Sequence, residues 1–206
     1  MDLGREARIA RRRFYPVTVL YSVYALVVWW LGVRASVGST IASIAAGTAT
    51  WTLVEYLVHR CVLHGRFPDG PGWWRHQLHT LFDASHLEHH ERPWDGLHIN
   101  GRFDTLPFAL ALAALSWIAP LHTALVFVAT LLACYVAEEW IHYAVHFHQF
   151  ENRYFRILRR HHFFHHGRRG RDAAFGLTSW LWDVPFGTTW HQAMKTRLAP
   201  STWTRE

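Results

Sequence analysis

Apolar and polar residues alternate along this chain in long blocks rather than residue by residue, and four of the blocks are apolar. Phe14 to Val33 is the first, with about 20 apolar residues; as a helix rising 1.5 Å per residue it would cross a bilayer core of roughly 30 Å. Trp29 and Trp30 near its end suit the membrane–water interface. Arg34 to Ser36 is too short for anything but a hairpin turn. Val37 to Val58 is the second span. Its Ser39, Ser43 and Gly47 either stand at the small-xxx-small spacing that lets another helix approach, or are simply small residues of an Ala-rich helix. Arg60 to Phe103 is polar, with Pro68, Gly70, Pro71 and Gly72 marking loops. Thr105 to Ala119 is apolar but only about three-quarters of a bilayer long, and Pro120 ends it. Leu121 to about Tyr143 is longer. These two read as a hairpin whose first arm is short or borrows residues from Gly101 to Asp104. From His142 onward the chain is amphiphilic, and Trp180, Trp182, Trp190 and Trp203 suit either a membrane surface or a packed cap.

The pattern predicts an all-α, polytopic membrane protein with about four transmembrane helices in two hairpins and a cytoplasmic helical cap. With 206 residues the chain is long enough for one domain over residues 1–206. Within it we expect a basic lead-in (1–13), a first hairpin (14–58), a His-bearing polar region (59–104), a second hairpin (105–143) and a His-rich cap (144–206). The lead-in, with Arg5, Arg8, Arg11, Arg12 and Arg13, is not read as a signal peptide, because no small-residue cleavage site follows the next apolar run. A formal net charge of +6 would raise nucleic acid as a partner. The basic residues flank apolar spans, however, so membrane topology explains them and no nucleic acid is expected. With four spans, every Lys and Arg except Arg34 falls on one side, which the positive-inside rule makes the cytoplasm. Both termini and the polar region 60–103 would lie there.

Histidine changes the picture most. The 17 His suggest metal binding before any spacing is considered. Ten stand at ligand-like spacing: His59-x4-His64, His86-x2-His89-His90, His142-x3-His146 and His162-x2-His165-His166. Residues three and four apart share a helix face, so either H-x2-H-H triplet can aim three imidazoles at one point. His142 and His146 are about 40° apart and can share a metal; His59 and His64 are about 140° apart, and so serve different ions or straddle a helix end. One zinc needs three or four ligands, so ten candidates suggest two ions with four or five each. Imidazole suits Zn, Cu, Fe and Ni alike. All ten fall on the cytoplasmic side. Glu55, one turn before His59, is expected to orient an imidazole or, failing that, to ligate directly; Glu138 and Glu139 are placed to orient a ligand or offset charge. Only Cys61 and Cys134 are present, so neither a Cys-type zinc site nor a disulfide framework is expected. His76, His79, His98, His148, His161 and His191 have no pattern to lift them.

Glu55-Tyr56-x2-His59-Arg60-x3-His64, followed by H-x2-H-H, H-x3-H and H-x2-H-H, resembles the fatty acid hydroxylase/sterol desaturase superfamily. The segment Phe175-Gly176-Leu177-Thr178-Ser179-Trp180-Leu181-Trp182-Asp183, with Phe186-Gly187-Thr188, resembles the stretch after the last triplet in the superfamily's sphingolipid fatty acid 2-hydroxylase branch. The resemblance runs from about Glu55 to Thr188 and is specific as a set. It implies a His-ligated di-iron monooxygenase that uses O2 to hydroxylate a C–H bond of a lipid chain, with zinc possible in isolated protein. All ten spaced histidines would be its ligands and its catalytic site. Many eukaryotic members carry a fused haem electron donor. The residues before Glu55 resemble none, so a separate electron-transfer protein is expected, with a membrane lipid as substrate.

Other chemistries remain open from the residues themselves. A desaturase or carotenoid hydroxylase would use the same dimetal site. A zinc-dependent membrane hydrolase would need Glu55, Glu138 or Glu139 as general base and would leave half the histidines idle. A haem carrier suits adjacent-His triplets poorly, since one residue per side reaches each iron. Arg159, Arg160, Arg168, Arg169 and Arg171 around the last triplet suit an anionic membrane surface, a lipid phosphate or an acidic redox partner. Asp183 is a candidate to anchor a loop near the site.

Overall fold

The computed structural model describes residues 1–65, 67–99, 105–118 and 122–198. All regular structure among them is helical. Helix α1, Leu3–Ala35, begins on an Asp2 cap whose carboxylate accepts from the Arg5 amide at 3.1 Å, and so covers an orphan N–H of the first turn. The basic lead-in is therefore not separate from the first span. Its arginines at 5, 8, 11 and 12 face outward, while Ala7, Ala10 and Phe14 form an apolar stripe at helical spacing. Ala10 packs on Ile99 and Tyr143, and the Glu6 carboxylate accepts from the Gly96 amide at 3.1 Å. The lead-in is thus joined to the polar His region.

Ser36 alone links α1 to α2, Val37–Leu57, and caps it through its hydroxyl. Helix α6, His122–Phe147, lies against both. Phe14, Val17 and Tyr21 of α1 meet Val128, Leu132 and Val136 of α6 in one cluster, and Ala25 and Val28 meet Val126 and Ala129 in the next. The small residues of α2 do admit a close neighbour: a Cβ on Gly47 would stand 2.9 Å from Thr130 Cβ and 3.2 Å from the Phe127 carbonyl of α6. Trp29 donates to Thr130 Oγ1 at 3.1 Å, so it ties α1 to α6, and Trp30 is the one that faces outward beside Arg34. The outward face of α1, with Val19, Val23 and Leu26, is apolar and exposed, as lipid rather than water requires.

Three described helices are long and apolar enough to cross a membrane: Leu3–Ala35, Val37–Leu63 and Thr123–Phe147. The fourth span expected from the sequence is α5, Leu106–Ile118, of 13 residues, which reaches about 20 Å and falls short of a bilayer core. Residues 101–104, expected to lengthen it, and Trp203 lie outside the described residues.

The second span ends differently from its sequence pattern. Beyond Leu57 it continues as a π-helical turn, Val58–Leu63, whose amides bond five residues back instead of four. A second π turn, His79–Ala84, joins the short α3, Trp73–Leu78, to α4, Ser85–Glu91. Helix α7, Arg153–His166, is capped by the Asn152 side chain, which accepts from the Tyr154 amide at 2.8 Å. Residues 167–189 then loop back to α8, Trp190–Leu198.

Candidate metal centre

Every one of the ten spaced histidines lies in one of two groups. His59, His64, His86, His90 and His165 form the first; His89, His142, His146, His162 and His166 form the second. In each, one nitrogen per residue lies within 4.8 Å of all the others. The two triplets do not each serve one point, as their spacing suggested. On α4, His86 and His90 are about 40° apart while His89 is about 100° from His90, so His89 turns to the other group. Helix α7 repeats this with the roles reversed: His162 and His166 join the second group and His165 crosses to the first. Each group thus takes an i, i+4 pair from one triplet, a single residue from the other, and a pair from the end of a span.

The span pairs explain themselves locally. His142 and His146 are one α turn apart. His59 and His64 are five apart, and the π turn makes five residues one turn: the His64 amide donates to the His59 carbonyl at 3.1 Å. They straddle the helix end and serve the same group.

The inward nitrogens crowd at hydrogen-bond distance from one another, but too few of them carry a proton for all these contacts to be hydrogen bonds. His64 Nε2 is 2.9 Å from both His165 Nε2 and His86 Nε2. His146 Nε2 lies 3.2 Å from His142 Nε2 and 2.8 Å from His162 Nε2, which is 3.0 Å from His166 Nε2; His142 Nε2 is 3.1 Å from His89 Nε2. A neutral imidazole has one N–H. His165 gives its Nδ1–H to the Ala173 carbonyl at 2.7 Å, and His59 its Nδ1–H to the Phe175 carbonyl at 2.5 Å. Their Nε2 atoms therefore carry lone pairs. His90 Nε2 is buried with no hydrogen-bond partner. A first-row ion about 2.0–2.1 Å from each nitrogen would set neighbouring donors about 2.9 Å apart, so each group fits one ion.

Protonation agrees with this. Burial is the largest influence on each ring, and neighbouring imidazoles add to it for most of them. His64 is held down to about 3 and His165 to about 4, and His86, His89, His90, His162 and His166 are also held below their ordinary value. Burial disfavours the imidazolium and leaves neutral rings, the form that binds metal. Trp94 and Phe163, stacked at 5.0 Å, both pack on His146 of the second group.

The carbonyls that orient His59 and His165 come from one loop, and that loop hangs on Asp183. This carboxylate is fully buried. It accepts from the Phe175 and Gly176 amides at 2.9 and 3.0 Å and from Thr188 Oγ1 at 2.7 Å, and meets His161 Nε2 at 3.1 Å. Tyr56 continues the network to Thr188 at 2.9 Å, and Arg60 donates to Tyr56 at 2.9 Å. Ala174, between the two carbonyl residues, has φ of 60°, a conformation costly for a side-chain-bearing residue. At Gly176 a Cβ would come within 1.8 Å of the Ser179 carbonyl.

Glu55 belongs to the same support. Among the described residues it has no hydrogen bond to an imidazole; its carboxylate accepts from the Leu177 and Thr178 amides, each at 2.6 Å, and from the Thr178 hydroxyl. Its reach is to the loop, not to a ligand. Glu138 is likewise buried, with Oε2 unpartnered and no described bond to a histidine. Of the histidines without a pattern, His161 matters through Asp183, and its place in the sequence gave no sign of this. His76 meets Asp69, His98 lies 3.9 Å from Asp95, and His191 packs at a tilt against Trp190; none joins a cluster. The two carbonyls had no sequence signal beyond the resemblance of residues 175–183.

A profile of the fatty acid hydroxylase family matches residues 44–188. The dihydroceramide fatty acyl 2-hydroxylase FAH2 of Arabidopsis thaliana is 34% identical over 183 residues, covering 78% of this chain and 73% of the relative. The fatty acid 2-hydroxylase of Rattus norvegicus is 33% identical over 147 residues, which is 69% of this chain but 38% of the relative. The chain therefore spans about three-quarters of the plant protein and well under half of the rat one. A solved structure of full-length scs7p, in which only the hydroxylase domain is visible, shares the fold with a TM-score of 0.70 at 24% identity, over 86% of this chain and 66% of that one.

Proposed function

The chain belongs to the fatty acid hydroxylase family, and from that premise we propose that it is an integral-membrane monooxygenase that hydroxylates the acyl chain of a lipid. The reaction would consume O2, two electrons and two protons, placing one oxygen atom in a C–H bond and releasing the other as water. The names of the relatives favour the 2-position of the chain. Two iron ions would be held by His59, His64, His86, His90 and His165, and by His89, His142, His146, His162 and His166. When bound, they supply the oxygen chemistry. The electrons would come from a separate protein. With the short α5 and α6 forming the second hairpin, Arg34 alone would lie on the opposite side, and the metal centre and both termini would be cytoplasmic.

The observation that carries this reading is the pair of five-imidazole clusters, built alike and lying side by side. A one-zinc hydrolase has no use for the second cluster, and among the described residues no carboxylate lies in either. The protein's own residues do the positioning. The Phe175 and Ala173 carbonyls hold the Nδ1 protons of His59 and His165, which keeps the opposite lone pairs pointing inward. Asp183 and Glu55 hold those carbonyls in place. Burial keeps the rings neutral between turnovers.

Lipid mass spectrometry of cells producing the chain, aerated and deprived of oxygen, tests this against a His162→Ala control. We expect a lipid class to gain one oxygen only in the aerated, intact sample, while the variant still inserts in the membrane. An active His162→Ala protein would refute the site. Loss of two hydrogens instead would make the enzyme a desaturase.

A further inference from the structure

Helix α7 has two working faces. Leu158, His161, His162 and His165 point inward and are buried. Arg156, Arg159, Arg160 and Phe163 stand at i, i+3, i+4 and i+7, and so share the other face. That face is one wall of a cleft of about 720 Å³, closed by Trp94, Gln149, Phe150, Trp190 and Met194. The size is that of a small-molecule site. No carboxylate lines it, and among the described residues neither Arg156 nor Arg160 makes an ion pair. Arg159 is held ready: its Nε donates to the Val145 carbonyl at 2.9 Å and its guanidinium lies 4.7 Å over the Phe163 ring. Its remaining N–H groups stay available to an anion.

We propose that this cleft seats the phosphate-bearing headgroup of a membrane lipid and, resting on the hydroxylase reading, that this lipid is the substrate. Three features favour that occupant. Three guanidiniums on one concave wall match a phosphoryl group, which they bind by paired, charge-assisted hydrogen bonds. Gln149 and Phe150 stand two and three residues after Phe147, the end of the third span, so the cleft opens at headgroup depth. Its floor is one ring thick: Phe163 and Trp94 contact both the cleft and His146, at 5.3 and 5.8 Å between ring centroids. An acyl chain leaving a headgroup held here would bring the carbons nearest its carboxyl to the second cluster. A protein partner would need a broad convex contact, which a cleft of this size does not offer.

The test is isothermal titration of the purified full chain in neutral detergent with dihexanoyl phosphatidate, dihexanoylglycerol and inorganic phosphate. Wild type should bind the phosphatidate at least ~10-fold tighter than the neutral lipid, and Arg156→Gln with Arg160→Gln should lose roughly 10- to 100-fold, the loss expected for charge-assisted contacts. Arg153→Gln with Arg168→Gln, which removes the same two charges from positions outside the cleft lining, should bind as wild type. Inorganic phosphate binding as tightly as the phosphatidate would assign the cleft to a free anion and overturn the proposal. Equal losses in Arg153→Gln with Arg168→Gln would reduce the effect to general surface charge and also overturn it. So would unchanged lipid binding in the double variant with impaired electron delivery, which would make the face a docking site for an acidic donor. The two readings fail separately. Selective binding without any oxygenated lipid would refute the hydroxylase and keep the seat. Oxygenated neutral lipid, undiminished in the double variant, would keep the hydroxylase and refute the seat.

Discussion

Asp183→Asn tests whether the first cluster is held together by the loop behind it. The substitution keeps the size and polarity of a side chain that is 0% exposed. With its amide oxygen in place of Oδ1, it still accepts from the Phe175 amide and Thr188 Oγ1. Its NH2 group then replaces Oδ2, the acceptor for the Gly176 amide at 3.0 Å and the partner of His161 Nε2 at 3.1 Å. His161 can adapt by changing tautomer. The Gly176 N–H cannot; it is left facing another donor. A buried donor without an acceptor costs about 1–3 kcal/mol, so a loss of that size in global stability is expected. The local effect is larger and selective. The Phe175 and Ala173 carbonyls orient His59 and His165, both in the first cluster, and loss of such support typically lowers metal affinity about 10- to 100-fold. The second cluster has no contact with this loop among the residues that bind Asp183. Metal content by plasma mass spectrometry, after graded exposure to a chelator, reads the outcome: Asp183→Asn should fall to one metal per chain where wild type still holds two. Two metals retained at wild-type chelator concentrations, or both lost together, would refute the reasoning.

The same geometry sets three further outcomes. His86→Ala and His89→Ala, though three residues apart on one helix, should strip different ions, detected as two spectroscopically distinct one-metal proteins; identical spectra would mean the triplet serves one site. Gly176→Ala places a Cβ where the Ser179 carbonyl stands, so the loop must move: the variant should lose first-cluster metal and melt earlier than wild type, whereas a glycine-to-alanine change outside such a contact would be neutral. After chelation, the folded protein should weaken as pH falls. His64 and His165 titrate near 3 and 4 when folded and near 6.5 when unfolded. Between those values the unfolded chain binds more protons, so stability is full above about pH 6.5 and declines toward pH 4. A thermal midpoint that rises on acidification over this window would contradict neutral, buried rings.

Helical geometry is local, and the features it governs could be read from residue order. Apolar length identified the spans at Phe14–Val33, Val37–Val58 and beyond Leu121, and i, i+4 spacing identified the ten histidines now found in two clusters. Where a boundary depended on contacts it was misplaced. The lead-in joined α1 because Ala10 finds Ile99 and Tyr143, residues far along the chain. The short Thr105–Ala119 arm, by contrast, was legible from residue order and is α5, Leu106–Ile118.

The division of the histidines was beyond the reach of residue order. A triplet on a helix spreads its side chains over about 100°, enough to face two neighbours, and only packing decides which residue faces which. In the same way His59 and His64 diverge on an ideal helix and meet only because the chain takes a π turn there. Backbone carbonyls carry no residue identity, so the roles of Ala173 and Phe175 could come only from the fold. Residue order alone set how many imidazoles face the metal centre and on which helices they stand. Packing set how they are divided between two clusters and what holds them, because each cluster draws its histidines from three separate segments of the chain.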